Sequence, residues 1–250
     1  MKVLITGSNG FIGSNLKKIL TSRENAINIF EFNRYSRLDE LKEYCAEVDV
    51  IYHFAAVLRP QTPAGYEDNI ILTSELLRLL KESGNKCPIM FSSSIQAVLD
   101  NPYAESKRKE EKMIINYGLG NKVNTFVFRL PNLFGRLSKP NYTSVIATFC
   151  YNTINNFPII INEPGRKIEF AEIQEALSEI IEIVESNEDK MANRIISINK
   201  CYSVSLGELA YYMGTLKNTE GPQLKRKDNF YAKLYETYLY YKNGANRLLC

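Results

Sequence analysis

Hydrophobic residues along the chain alternate between short β-branched runs and longer stripes at helical spacing. The run Lys2–Thr6 predicts a buried strand, and Ile12, Leu16 and Ile19 follow it at helical spacing. The same alternation continues to about residue 135. A chain of this kind is typical of a parallel sheet with helices on both faces. The pattern therefore predicts an α/β protein with a doubly wound parallel sheet.

Further elements follow from the same patterning. Strands are predicted at Ile27–Asn33, Asp49–Phe54, Pro88–Ser93, Lys122–Leu130 and Arg194–Ile198, and helices at Leu38–Cys45, Tyr66–Ser83, Pro102–Tyr117 and Glu172–Glu185. After Gly135, prolines and glycines break the pattern into shorter elements. We therefore expect a sheet domain over residues 1–135, to which 172–200 add further elements, and a smaller interleaved cap over 136–250. The tail is expected to pack a helix on this cap through Phe230, Leu234, Tyr238 and Tyr241.

Composition narrows the class of protein. The net charge of +3 is too small to indicate a nucleic-acid partner, and no apolar stretch approaches the roughly 20 residues of a membrane span. The five cysteines are widely spaced without a CxxC pair, which argues against a disulfide framework or a metal site. We expect a cytoplasmic protein that binds neither nucleic acid nor membrane.

A glycine-rich loop lies between the first predicted strand and the first helix. Its sequence is TGSNGFIG, with GxxGxxG spacing. Gly7 permits a tight turn, Gly10 lets the backbone approach a pyrophosphate, and Gly13 lets helix and strand pack closely. The helix N-terminus directs N–H groups and its positive end at the phosphates. This context predicts a Rossmann-like dinucleotide site, and the other loop residues at that site are Ser8, Asn9, Phe11 and Ile12.

The end of the second strand indicates which dinucleotide binds. An NAD site usually has a carboxylate about 20 residues after the loop, bonded to the adenosine ribose. Asn33 takes that place here, and Arg34 can pair with a 2′-phosphate. This favours NADPH/NADP over NAD. Glu31 shares a strand face with Asn33 and is the alternative ribose ligand if the strand ends earlier.

Tyr103 and Lys107 are four residues apart in the stretch YAESK of a predicted helix, and so share one helix face. Tyrosine has an ordinary pKa of about 10, and a neighbouring ammonium is expected to lower the pKa of Tyr103 enough for proton exchange with a carbonyl or hydroxyl oxygen. Ser94 ends a strand at the carboxyl edge of the sheet, where its hydroxyl can hydrogen-bond that oxygen. Ser94, Tyr103 and Lys107 are therefore the predicted catalytic residues.

Taken together, these motifs resemble extended short-chain dehydrogenases/reductases of the NAD-dependent epimerase/dehydratase family. The resemblance covers residues 1 to about 240 and includes DVIYHFAA, Asn69, FSSS, and the stretch RLPNLFG at Arg129–Gly135. Within the family, the stretches SSSIQAVLDNPYAESK and PNLFGRLSKPNYTSVIATFCY are similar to the reductase half of capsular-polysaccharide assembling proteins of the CapF type.

The resemblance implies NADPH-dependent reduction of a 4-keto sugar on UDP, namely a UDP-linked 2-acetamido-2,6-dideoxy-L-hexos-4-ulose. The route would supply a surface polysaccharide or glycan, and a homo-oligomer is expected. Besides the glycine loop, Asn33 and Arg34, the implied cofactor-binding residues are Phe54, Ala55, Ala56, Asn69, Lys107, Leu130 and Pro131. The implied substrate-binding residues are Ser94, Gln96, Asn132, Lys139 and Arg166.

Two departures from the family pattern keep alternatives open. CapF-type proteins also carry a C-terminal cupin that epimerises the sugar, and this chain ends where that cupin would begin. It is therefore either part of a longer protein or a separate reductase. A separate reductase would accept a ketone not epimerised at C3 and form a UDP-L-RhaNAc type product. A separate epimerase in the pathway is a further option. At Phe170–Ala176, FAEIQEA replaces the usual YVDD-like segment, so Arg166 is only a candidate for the diphosphate.

Other activities are consistent with the same fold. Sugar dehydration is disfavoured because Ile95 and Gln96, which follow Ser94, cannot ionise. The alternatives are a nucleotide-sugar epimerase with bound NAD and a non-catalytic NADP(H)-sensing protein. His53 is predicted to be a core residue, and Cys87 and Cys150 core thiols. The basic triplet Lys225–Lys227 is either a solvated face or a border of the UDP diphosphate.

Overall fold

The computed structural model describes residues 1–23, 26–186, 192–218 and 229–244. It divides into two compact units, one formed by Met1–Leu130 and Leu177–Ile198 and the other by Pro131–Ala176 and Asn199–Cys250. The strands are β1 Lys2–Thr6, β2 Asn28–Phe32, β3 Val50–His53, β4 Ile89–Ser94, β5 Thr125–Leu130, β6 Asn132–Phe134, β7 Lys167–Glu172, β8 Arg194–Ser197 and β9 Tyr202–Ser205. The helices are α1 Phe11–Thr21, α2 Leu38–Glu47, α3 Glu67–Ser83, α4 Pro102–Asn121, α5 Val145–Ile154, α6 Ile173–Ser186, α7 Leu206–Asn218 and α8 Asn229–Gly244.

The first unit is built on a six-stranded sheet in the order β2-β1-β3-β4-β5-β8, and every pair of neighbouring strands is parallel. Its four inner strands β1, β3, β4 and β5 are buried because β-branched and aromatic side chains face helices on both sides, whereas the edge strands β2 and β8 are largely accessible. One core cluster joins Leu4, Ile51, Phe91 and Val127 of the sheet to the helices through residues such as Leu76. The predicted doubly wound α/β fold is confirmed.

The chain order of these strands creates a switch point between β1 and β3. After β2 pairs with one side of β1, the chain returns to place β3 on the other side. In open parallel sheets, ligands bind beyond the carboxyl ends of the strands at such a point. The loops after Thr6 and His53 begin there.

The second unit has a three-stranded sheet, in which β7 pairs parallel with β6 and antiparallel with β9. Its core joins Phe134 and Phe170 of this sheet to α5, α7 and α8. The predicted buried face of the tail helix is confirmed, since Phe230, Leu234, Tyr238 and Tyr241 are all buried in α8. Because β6 pairs with β7, the first unit ends at Leu130, earlier than the expected boundary at residue 135.

Two predicted boundaries differ from the structure by more than two residues. Helix α4 runs to Asn121 rather than Tyr117, and Lys122 ends it in the left-handed region with φ of 56°. The strand predicted from Lys122 therefore begins at Thr125. Among the described residues, none of the helices has the length and apolar character that a membrane crossing needs.

Candidate active site

The glycine loop forms a close-packed turn between β1 and α1. Gly7 has φ of 69°, and a Cβ on it would lie 2.8 Å from the Ala55 nitrogen in the loop after β3. A Cβ on Gly13 would lie 2.4 Å from the Gly7 carbonyl oxygen. Side chains at these positions would therefore collide with backbone, which explains why glycine is required. Gly10 caps α1 without a side-chain hydrogen bond, and the first turn carries no acidic residue, so the helix N-terminus is suited to an anion.

Ser8 provides an independent indication that this loop holds a ligand. Its side chain is completely buried, yet its Oγ has no hydrogen-bond partner within the described part of the chain. Buried polar groups are normally hydrogen-bonded. A phosphate oxygen would satisfy this hydroxyl and the free amides of the helix terminus, so the loop fits a dinucleotide. Of the other loop residues, Asn9 is exposed, and Phe11 and Ile12 are half-buried at the start of α1.

The region after β2 has a defined polar arrangement. The strand ends at Phe32, where the carbonyl accepts a hydrogen bond of 2.7 Å from the Gly7 N–H. The Glu31 carboxylate forms an ion pair of 2.7 Å with Lys17. The Asn33 side chain accepts a hydrogen bond from the Tyr35 N–H, and Arg34 is exposed. Because Glu31 is engaged by Lys17, this arrangement favours Asn33 and Arg34 as the residues that meet the adenosine ribose.

The loop after β3 is held by Asn69 of α3. The Asn69 side chain is buried, accepts a hydrogen bond from the Val57 N–H at 2.6 Å and donates one to the Val57 carbonyl at 3.2 Å. Both of its polar groups thus hold backbone. Phe54 is buried at the end of the strand, and the Ala55 and Ala56 that follow are half-buried near the glycine turn. Asn69 therefore positions this loop.

Ser94 and Tyr103 are brought together at the carboxyl end of β4. Ser94 is the last residue of β4, and its Oγ accepts a hydrogen bond of 3.1 Å from the Gln96 N–H, which caps the 3-10 turn Ile95–Val98. The two side chains are close enough that Ser94 lowers the pKa of the Tyr103 phenol. Asn101 and Pro102 begin α4, which presents Tyr103 in its first turn. The Gln96 side chain is exposed beside them.

The structure corrects the expected pKa of Tyr103. Burial raises this pKa above the ordinary 10.0, and the nearby Ser94 side chain offsets part of the rise. The nearby Glu110 carboxylate and Tyr66 raise it further. The expectation that Lys107 lowers the pKa of Tyr103 was therefore wrong, because burial raises this pKa and Lys107 is not among the groups that lower it. Burial thus favours the protonated form of the phenol.

The Lys107 side chain is buried, although it carries a charge. Its side chain is 2% exposed and forms an ion pair of 3.2 Å with the Glu110 carboxylate, which is 0% exposed. The ammonium also donates to the Ser92 carbonyl at 3.3 Å and lies 4.7 Å from the centroid of the Phe91 ring. These contacts hold the Lys107 ammonium beside the end of β4.

A second ion pair, of which the carboxylate is buried and the guanidinium half-buried, supports the same strand end. The Arg129 guanidinium donates two hydrogen bonds to the Glu111 carboxylate, at 2.8 and 2.7 Å, and Ser93 donates a third at 2.5 Å. This bidentate pair ties α4 to β5 and β4. Leu130, the next residue after Arg129, is buried at the end of β5 and lies opposite Ser94 in the register of β4 and β5.

The predicted substrate residues of the second unit lie on several of its elements. Pro131 is buried, and the Asn132 side chain in β6 donates to the Glu169 carbonyl at 3.2 Å. Lys139 and Arg166 are exposed. Arg166 lines a cavity of about 230 Å³ together with residues of α5 and Leu206. Their contacts with substrate remain predictions.

The remaining predictions concern single residues. His53 is confirmed as a core residue: it is 1% exposed, and burial together with the charge of Lys107 lowers its pKa to about 3. Cys87 and Cys150 are confirmed as buried thiols. Lys225–Lys227 and Cys250 lie outside the described residues.

Glu110 was not identified from the sequence, although α4 carries a signal for it. The buried stripe of this helix includes Ala104, Lys107, Glu110, Glu111 and Ile114, which share one face at helical spacing. Charged residues at core positions of a helix are unusual and need partners. Three charges on this stripe therefore indicate a buried polar network, which the structure shows.

Comparisons with known proteins agree with the fold. A model of the NAD dependent epimerase/dehydratase family matches residues 3–198. The UDP-2-acetamido-2,6-beta-L-arabino-hexul-4-ose reductase of Pseudomonas aeruginosa is 35% identical over 243 residues, which are 96% of this chain and 64% of that protein. The crystal structure of the capsular polysaccharide assembling protein CapF from Staphylococcus aureus superposes with a TM-score of 0.83 at 34% identity, over 96% of this chain and 65% of the other. This chain thus spans slightly less than two thirds of either relative.

A more distant structure shares the fold alone. RMD from Pseudomonas aeruginosa, solved in complex with NADPH, superposes with a TM-score of 0.79 at 18% identity over 97% of each chain. The chain belongs to the NAD dependent epimerase/dehydratase family. The resemblance derived from the sequence motifs, including its CapF-type part, is confirmed.

Proposed function

We propose that this protein is an NADPH-dependent 4-keto reductase that acts on a UDP-linked 2-acetamido-2,6-dideoxy-L-hexos-4-ulose. The observation that carries the proposal is that Ser94 ends β4 and Tyr103 lies in the first turn of α4, where burial raises the pKa of the phenol and so favours its protonated form. A phenol that holds its proton is an acid, which reduction of a ketone needs. The substrate class is suggested by the name of the reductase from Pseudomonas aeruginosa.

The side chains then divide the chemistry among them. When bound, the nicotinamide supplies a hydride to C4. Tyr103 donates its phenolic proton to the sugar oxygen, so that carbonyl, hydride and proton together form the hydroxyl. The Ser94 hydroxyl hydrogen-bonds the same oxygen. Lys107, anchored by the Ser92 carbonyl, stabilises the phenolate that remains and holds the cofactor ribose.

The preference for NADPH/NADP rests on residues after β2. Arg34 is exposed and can pair with a 2′-phosphate, while the Glu31 carboxylate, which would repel one, is paired with Lys17 at 2.7 Å. We assign cofactor binding to the sheet domain, and sugar-nucleotide binding to Ser94 and Gln96 together with Asn132, Lys139 and Arg166 of the second unit. We further propose that the enzyme is a cytoplasmic homo-oligomer.

The test is incubation of the protein with NADPH and the UDP-linked L-hexos-4-ulose, with absorbance of NADPH and NMR of the product as readouts. A reductase consumes one NADPH per product molecule, and an L-rhamno product indicates reduction without prior inversion at C3. An L-talo product would indicate that inversion comes first. Conversion without net NADPH consumption would show an epimerase, and absence of any reaction with keto-sugar nucleotides would contradict the proposal.

Tyr103→Phe provides the matched control. This variant removes only the phenolic hydroxyl, so NADPH binding should stay nearly unchanged while turnover falls by at least about 10²-fold, the contribution of a general acid. Full activity in Tyr103→Phe would exclude Tyr103 as the proton donor.

A further inference from the structure

Glu110 is a buried carboxylate that has no role in the chemistry described so far. Its side chain is 0% exposed, and its Oε2 lies 3.2 Å from the Lys107 ammonium. Burial of a carboxylate is costly, and so is burial of an ammonium; the two are tolerated together because each compensates the other. The lysine next to the catalytic tyrosine therefore belongs to a nearly neutral pair.

A chain of hydrogen bonds holds the other oxygen of Glu110 from outside its own helix. Thr73 of α3 donates to Oε1 at 2.9 Å and accepts from His53 Nε2 at 2.9 Å. The Thr6 hydroxyl lies 2.6 Å from His53 Nδ1 and accepts from the Ala55 N–H at 3.2 Å. A carboxylate only accepts hydrogen bonds, so every donor in this chain is directed toward Glu110, and the neutral His53 carries its proton on Nε2.

This network fixes the position of Glu110 through two strands and a second helix. Thr6, His53 and Thr73 are all nearly completely buried, so water does not screen the interaction between Glu110 and Lys107. The chain of hydrogen bonds ends at the Ala55 N–H, and the Ala55 nitrogen packs against Gly7 of the glycine turn. The arrangement therefore links the catalytic lysine to the loop predicted to hold the cofactor.

The charge of Glu110 acts on Tyr103 as well. An isolated ammonium one helical turn from a phenol favours the phenolate, whereas an ammonium paired with a carboxylate does so much less. Glu110 is among the groups that raise the pKa of Tyr103. Of the other groups, Tyr66 packs on Tyr103 with ring centroids 5.7 Å apart, His53 is neutral, and Glu111 is paired with Arg129.

We propose that Glu110 is a positioning residue that holds Lys107 and offsets its charge, so that Tyr103 remains a proton donor and the site favours ketone reduction over alcohol oxidation. This inference rests on the proposed reductase function. It predicts that removal of the negative charge lowers the pKa of Tyr103, so that the phenol loses its proton at a lower pH.

The experiment compares wild type with Glu110→Gln, in which the amide oxygen can still accept from Thr73. The readout is kcat against pH for reduction with NADPH and for oxidation of the product with NADP. We expect the alkaline limb of the reduction profile to move to lower pH by about one unit, a tenfold change in proton affinity. The ratio of oxidation to reduction at neutral pH should rise severalfold. Glu110→Asp keeps the charge and should retain a profile near wild type.

Glu105→Gln is the matched control, because Glu105 lies on the same helix but is exposed and bonded to Lys109. It should leave the profile unchanged. An active Glu110→Gln enzyme with the wild-type profile would overturn the proposal. The proposal would also be overturned if Glu105→Gln moved the pH profile as much as Glu110→Gln.

A second measurement needs no turnover. With ¹³C-labelled tyrosine, NMR follows the phenol of Tyr103, assigned by Tyr103→Phe, in wild type and Glu110→Gln. The wild-type phenol should titrate above pH 10 and that of the variant about one unit lower. A wild-type midpoint near neutral pH would overturn the inference even if Glu110→Gln does not fold. Wild type that reduces no keto-sugar nucleotide but shows the expected titrations would instead contradict only the proposed function.

Discussion

Replacement of Lys107 by Met tests the buried ion pair through stability. Methionine fills a similar apolar volume but removes the ammonium that lies 3.2 Å from the Glu110 carboxylate. Both side chains are at most 2% exposed, so the carboxylate cannot turn to water. Removing one partner of a buried pair costs about 3–5 kcal/mol, because the other charge stays buried and uncompensated. We expect a loss of this size in the free energy of unfolding.

The double variant Lys107→Met/Glu110→Gln separates the unpaired charge from lost packing. With neither charge present, the structure buries only neutral groups, and Thr73 can still donate to the amide oxygen. Stability should recover to within about 2 kcal/mol of wild type. Urea unfolding followed by far-UV circular dichroism suits this chain, which has no tryptophan. A loss below about 1 kcal/mol in Lys107→Met, or a double variant no more stable than Lys107→Met, would refute the reasoning.

Three further predictions concern stability and cofactor binding. The pKa of His53 is lowered from 6.5 to about 3, so the neutral ring stabilises the fold above about pH 6.5. About 3 kcal/mol of the free energy of unfolding should therefore be lost between pH 7 and pH 4, and this loss should be absent in His53→Gln at equal ionic strength. An unchanged pH dependence of stability in the variant would contradict this prediction. Gly7→Ala should abolish NADPH binding in a fluorescence titration. The control is Gly84→Ala: Gly84 has nearly the same φ of 70° but nothing within 4 Å of an added Cβ, so this variant should lose only about 1 kcal/mol of stability and no binding. Equal NADPH binding in both variants would argue against the close approach at Gly7. Arg129→Met should lower the free energy of unfolding by about 3 kcal/mol or more, measured by urea unfolding, because Glu111 is 4% exposed and loses its bidentate partner; a near-neutral effect would show that this pair contributes little.

Local patterns in the sequence were sufficient to predict the sheet and to name the residues proposed for the site. Short β-branched runs such as Lys2–Thr6 are typical of strands in a covered parallel sheet, and three glycines in register are needed where backbone approaches backbone. The spacing of Tyr103 and Lys107 depends only on the period of a helix. Errors fell at element ends, where Lys122 ended α4 in a left-handed conformation that hydrophobic periodicity does not signal.

The direction of the pKa shift of Tyr103 was decided by the tertiary structure. Burial is its main cause, and the periodicity of one helix does not contain the depth of burial, although Glu110 lies on the same helix as Tyr103 and Lys107. Thr73, which fixes Glu110, is 37 residues away in sequence, and His53 reaches Thr73 from a strand. The sequence alone determined the fold class and the residue types of the site, because both follow from local period and backbone sterics. Only packing of α3, α4 and β3 around one buried pair decided which of those residues are charged and how they are held.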